Sequence, residues 1–195
     1  MIAENYLVPG RECGTCSACC KEISIAGGGI DKPAGVPCRH LAAGKGCSIY
    51  SARPNLCRVF NCLWRSFDNV DEEWRPDRSG ILMRLSNLPA HGASVAVELI
   101  LFGPPEVLVS ERFASLVGGF VESGTTVHLL VSVGPGLFMP SAMLNDQLRP
   151  YIAARDLAAV QQLMASCYRQ LMALPRTRIP KGEIGYMEDL AAVQG

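Results

Sequence analysis

From Gly80 onward the apolar positions fall into runs with recognisable periods. Gly80-Ile-Leu-Met-Arg-Leu85 and Ala93-Ser-Val-Ala-Val-Glu-Leu-Ile-Leu-Phe102 predict two strands, joined by a turn through Pro89 and Gly92. Phe113, Leu116, Val117, Phe120 and Val121 repeat at three- and four-residue spacing, which predicts a helix that Gly124 ends. A third strand is expected over Thr126–Val133, running into the turn Gly134-Pro135-Gly136. A last helical region is expected from about Asn145 to Leu174, with Asp156 capping its second part. Its apolar stripe is Leu157, Val160, Met164, Cys167, Tyr168 and Leu171, so Cys167 reads as a buried small hydrophobe rather than a metal ligand.

Residues 66–79 are polar, contain Pro76 and read as a connection with a helical turn around Glu72. Arg176-Thr-Arg-Ile-Pro-Lys181 is basic and broken by proline, and a solvated tail is expected there. The chain thus divides into a cysteine-rich module over 1–65, a connection over 66–79, a small α+β region over 80–174 and a basic tail over 175–195. The expected fold class is α+β, an irregular cysteine-rich module followed by a small region that packs helices on one face of a sheet.

Composition adds limits. Of the 195 residues 49% are hydrophobic, so the length beyond the cysteines can build a core. The 18 basic and 18 acidic side chains give no global signal for nucleic acid. Residues 1–65 are less even, with eight Lys and Arg against four acids, a setting that would offset the negative charge of bound thiolates. No stretch approaches the roughly 18–20 apolar residues of a membrane helix, and the longest run, Val95 to Phe102, contains Glu98. Met1-Ile-Ala-Glu-Asn lacks the basic and apolar parts of a secretory signal, so a cytoplasmic protein with reduced cysteines is expected.

Eight of the nine cysteines fall between Cys13 and Cys62: Cys13, Cys16, Cys19, Cys20, Cys38, Cys47, Cys57 and Cys62. A disulfide framework needs an oxidising compartment, and the run Cys13-x-x-Cys16-x-x-Cys19-Cys20 suits a metal better. Two thiolates two residues apart reach one ion from a single tight turn, with backbone amides directed at the sulfurs. Eight thiolates would make two four-sulfur zinc sites, or one site with further supporting or redox thiols. The spacing of Cys13, Cys16 and Cys19 also matches the first three ligands of ferredoxin-type iron–sulfur runs. Thiolate suits zinc and iron–sulfur alike, so both stay open. Adjacent Cys19 and Cys20 are not expected to share one ion, because neighbouring side chains diverge. Further along, Pro54 is placed to open a short helix that presents Cys57 near its start, where amide dipoles favour a thiolate. Arg53 and Arg58 flank it, to neutralise the cluster, to grip an anion, or as ordinary surface arginines.

Taken together, Cys13-Gly-Thr-Cys16-Ser-Ala-Cys19-Cys20, Cys38-x-x-Leu41, Cys47-Ser-Ile-Tyr50, Arg53-Pro54 and Cys57-Arg58-x-Phe60-x-Cys62 resemble the CxxCxxCC (YkgJ-like) family of zinc- or iron-chelating cysteine-cluster proteins. The likeness covers about the first third of the chain and implies metal coordination by these eight cysteines. Flagellin lysine methylases are similar in carrying such a module, which brings in an enzymatic alternative. Residues 80–195 carry no motif of the family.

Other candidates are weaker. His40, two residues after Cys38, would give a mixed sulfur–nitrogen site, whereas His91 in a turn and His128 in a strand read as structural. Glu98 is expected to face solvent or an adjacent Arg. Gly27-Gly28-Gly29 lacks nucleotide-fingerprint spacing and reads as a loop. The expected function is metal binding, with zinc or an iron–sulfur cluster as cofactor and the ion or cluster as chief partner. The alternatives are an iron–sulfur enzyme or redox partner, and a zinc-stabilised module that docks another protein. No residue pattern names a reaction.

Overall fold

The computed structural model describes residues 7–27, 29–86 and 95–180 and the backbone of 188–189. The expected turn through Pro89 and Gly92, the start of its following strand at Ala93, and His91, Gly28 and Lys181 lie outside the described residues. In chain order the elements are α1 (Ala18–Glu22), β1 (Leu41–Ala42), β2 (Gly46–Cys47), α2 (Asn55–Val59), α3 (Leu63–Ser66), α4 (Pro76–Ser79), β3 (Ile81–Ser86), β4 (Ala96–Leu101), α5 (Glu111–Glu122), β5 (Thr126–Val131), β6 (Pro140–Met143), α6 (Asn145–Ala153), α7 (Leu157–Ala173) and β7 (Glu188–Asp189). The fold class is α+β.

The larger sheet runs β3-β4-β5-β6-β7, with β3–β4 and β5–β6 antiparallel and β4–β5 and β6–β7 parallel. The parallel pair β4–β5 needs a crossover, which α5 supplies. Ser110 caps α5 by accepting from the Phe113 amide at 3.1 Å, and Asp156 caps α7 by accepting from the Ala159 amide at 3.0 Å. The last helical region is two helices, parted where Arg155 takes a left-handed φ of 55°.

Alternation along the strands sorts the sheet into two buried faces. Ile81, Met83, Val97, Leu99, Leu101, Val127, Leu129 and Val131 pack with Phe113, Val117, Met164, Cys167 and Leu171 of the helices. Leu82, Ile100 and Leu130 point the other way, into a second core with Ala18, Ile23, Ile25, Ile30, Ala34, Cys38 and Met139. The cysteine-rich residues therefore cover the sheet face opposite the helices. Every residue of β4 is buried as a result.

Two segments are more integrated than their polarity suggests. Within 66–79, Val70 and Trp74 are buried in the helix-side core, and the Trp74 ring lies 6.4 Å from Phe113 between centroids. A short turn at Glu72–Trp74 is capped by Asp71, as the helical turn expected there requires. Residues 177–179, in the expected solvated tail, bond through their main chain to the loop before β6 while Thr177 and Arg178 stay exposed: the Phe138 amide donates to Thr177 O at 3.0 Å and the Ile179 amide to Gly136 O at 2.9 Å. No helix among the described residues is long and apolar enough to cross a membrane.

Candidate metal centre

Short local structures deliver the eight cysteines. Gly14, at φ 52°, turns the chain between Cys13 and Cys16, and the Cys16 amide closes that turn onto Cys13 O at 2.8 Å. Cys19 and Cys20 follow on α1. The Cys38 amide donates to Cys20 O at 2.8 Å, tying a residue 18 positions away to the same spot. Cys47 ends β2 opposite Leu41. Gly46 beside it, at φ 75°, is packed so closely that a Cβ there would stand 2.7 Å from Gly14 O. Pro54 precedes α2, which carries Cys57, and Cys62 precedes α3, where the Arg65 amide donates to its carbonyl at 2.9 Å.

The N-terminal strand of chain is pinned near Cys62. The Val8 amide donates to Arg65 O at 2.9 Å, and the Arg11 guanidinium donates to Trp64 O and, at 2.8 Å, to Phe67 O. Arg75 reaches back to donate to Cys13 O at 3.0 Å.

Seven of the eight cysteines line one cavity of about 190 Å³: Cys13, Cys16, Cys19, Cys20, Cys38, Cys47 and Cys57. A smaller cavity of about 40 Å³ shares Cys13, Cys16, Cys19 and Cys57 with it and adds Cys62. Among the described residues no Asp or Glu lines the larger one, whereas His40, Arg53 and Arg84 do. All nine cysteines carry free thiols. Cys167 is buried on the helix side of the sheet, away from both cavities.

The thiols differ in acidity. The Cys19 thiol donates to the Cys20 sulfur, which pulls Cys20 down to about 7 against the cost of burial, with Lys32 and Arg53 adding. That same hydrogen bond, then burial, raises Cys19 well above the usual thiol range. Burial raises Cys62 to about 11 and also raises Cys16. Cys57 runs against the expectation from the short helix. Burial raises it, and Cys20, Cys38 and Cys47 raise it further, while Arg53 opposes.

The cations around the site have distinct supports. Arg53 lines both cavities and lays its guanidinium 3.7 Å from the centroid of the Tyr50 ring. Arg58 lines neither, and donates through Nε to Arg53 O at 2.7 Å. Lys32 is 6% exposed, yet its ammonium donates to Lys21 O at 3.1 Å, to Ile23 O and to Pro33 O at 3.3 Å. Burial lowers its pKa, and the thiolates of Cys38 and Cys20 and the Glu22 carboxylate oppose that shift. Arg84 reaches the larger cavity from β3, ion-paired to Glu98 on β4. Glu98 thus faces an arginine in a buried position and not solvent. His40 lines the larger cavity and accepts from Arg39 Nε through its Nε2 at 3.2 Å. His128 is buried within β5. Sequence patterning did not single out Arg84 or Lys32 as site residues. For Arg84 the available signal was a lone charge within an apolar run; Lys32, beside Asp31 and Pro33, gave none.

The donor chemistry fits a thiophilic metal. The side-chain positions do not form a finished cage: among the described residues, no three His, Cys, Asp or Glu side chains are grouped so as to hold one ion. Compared with family models, with curated proteins and with solved structures, the chain matches none.

Proposed function

We propose that this is a metal-binding protein whose N-terminal cysteines coordinate zinc or an iron–sulfur cluster. The observation that carries the reading is the shared cavity: seven free thiols from five separate stretches of chain line one space, walled by Arg53 and Arg84 and, among the described residues, by no carboxylate. Thiolates brought so close repel one another unless a cation joins them, so a metal is the natural stabiliser of this arrangement. The likeness of the cysteine run to the CxxCxxCC (YkgJ-like) family supports the same reading. Loading would involve rotation of thiol side chains about χ1, since the staggered positions open to a cysteine move its sulfur without moving the backbone.

Cys13, Cys16, Cys19, Cys20, Cys38, Cys47, Cys57 and Cys62 would hold the metal. Zinc would supply a closed tetrahedral tie between distant segments, and an iron–sulfur cluster would supply electron transfer. The larger cavity is several times the roughly 30 Å³ share of one water, so it admits a polynuclear group as well as a lone ion. A cytoplasmic setting, where thiols stay reduced, suits either.

Thiol labelling with and without a chelator tests the proposal on the full chain, purified anaerobically. The eight cluster cysteines should be protected from alkylation before chelation and open to it afterwards. A folded chain whose cluster thiols label equally well in both conditions would count against it.

A further inference from the structure

The cluster is not one undivided set of sulfurs. Cys62 borders only the smaller cavity, and Cys20, Cys38 and Cys47 border only the larger. The four cysteines common to both sort by their neighbours. Cys13 and Cys16 share one turn, closed by the Cys16 amide on Cys13 O, and border the smaller cavity together with Cys19 and Cys62. Cys57 borders the larger cavity with Cys20, Cys38 and Cys47, near enough for their charges to act on it.

Backbone contacts, which do not depend on where any sulfur points, tie together members of each group. The chain leading into Cys13 is pinned to the segment that follows Cys62, through Val8 and Arg11 on one side and Arg65 Nε donating to Arg11 O at 3.3 Å on the other. Cys38 is bonded to Cys20 through the main chain. The turn at Gly14 meets Gly46, next to Cys47, so the two groups abut there.

We infer that the eight cysteines form two four-thiolate metal sites, Cys13, Cys16, Cys19 and Cys62 in one and Cys20, Cys38, Cys47 and Cys57 in the other, touching at the Cys19–Cys20 peptide. This rests on the metal-binding reading above and assigns its ligands. Each set has the four sulfurs that a closed thiolate site offers to zinc or iron. It also accounts for the doublet: consecutive residues serve two adjacent sites, each closed by a remote cysteine.

The test uses the reduced full chain, titrated with zinc ion under anaerobic conditions and read by native mass spectrometry. Two equivalents should bind tightly. At one equivalent, alkylation followed by peptide mapping should show protection arriving in blocks of four. Cys62 should be protected together with Cys13, Cys16 and Cys19, and Cys47 together with Cys20, Cys38 and Cys57. That map needs no substitution, so it does not depend on whether a variant folds. In variants, C13S/C62S should keep one equivalent, and C13S/C47S should keep none. A single equivalent in the wild type, or protection that pairs Cys62 with Cys47, would overturn the division while leaving metal binding in place. No bound zinc at all would overturn both.

Discussion

Arg84 and Glu98 are register partners across β3 and β4, and their side chains form an ion pair on the sheet face that carries the cysteines. The Glu98 side chain is 3% exposed and that of Arg84 20%, so the pair is largely withdrawn from water. Removing one partner from such a pair strands the other charge. E98A should therefore lose about 3 kcal/mol of stability in urea unfolding. R84L/E98L should recover most of it, because two apolar groups of suitable shape leave no stranded charge. Equal losses in the single and double variants would mean that shape, and not charge, is what the position requires.

Gly46 and Gly44 separate crowding from backbone strain. Both have positive φ, but a Cβ at Gly44 meets nothing within 4 Å whereas one at Gly46 runs into Gly14 O. G44A should cost about 1 kcal/mol from the left-handed backbone alone. G46A should cost clearly more, and should loosen the contact that sets Cys47 beside the Cys13–Cys16 turn. Urea unfolding together with the alkylation rate of Cys47 checks both. Equal costs would show that Gly14 can move aside.

In the metal-free, reduced chain the thiols should react in a fixed order. Thiolate is the nucleophile, and its fraction grows as pH rises through the pKa. Cys20, pulled down to about 7 by the Cys19 hydrogen bond, should reach half its maximal alkylation rate near neutral pH. Cys62, at about 11, should react slowly until strongly alkaline conditions. C19A should move the Cys20 profile to higher pH. Peptide-resolved iodoacetamide labelling across a pH series reads all three, and a Cys20 profile no more acidic than that of Cys62 would contradict the arrangement.

Cys167 should be silent in metal binding. It lies in the core between sheet and helices, where burial raises its thiol to about 11. C167A should cost about 1 kcal/mol, on the scale of one deleted methylene-sized group, and leave metal content unchanged. A fall in metal content in a folded C167A chain would bring it into the site.

Much of this could be read from sequence, and the reasons are local. β3, β4 and β5 are apolar runs, α5 and α7 have stripes at helical spacing, and Asp156 caps where its position suggests. The crowding of eight cysteines into 50 residues also needs no structure to notice. What escaped depended on distant partners. Pro140-Ser-Ala-Met143 lacks branched and aromatic side chains, and becomes a strand because β5 pairs with it. Trp74 sits in a polar stretch, and its burial follows from where Phe113 lies. Arg84 enters the cysteine cavity only because the β3–β4 register places it on that face.

The most direct test of the account is the metal content and absorption spectrum of the full chain purified without oxygen. The account predicts stoichiometric metal, either zinc in a colourless protein or iron with matching sulfide and broad visible absorption. A folded, reduced chain that contains neither, and takes up neither zinc ion nor iron with sulfide when they are supplied, would contradict it.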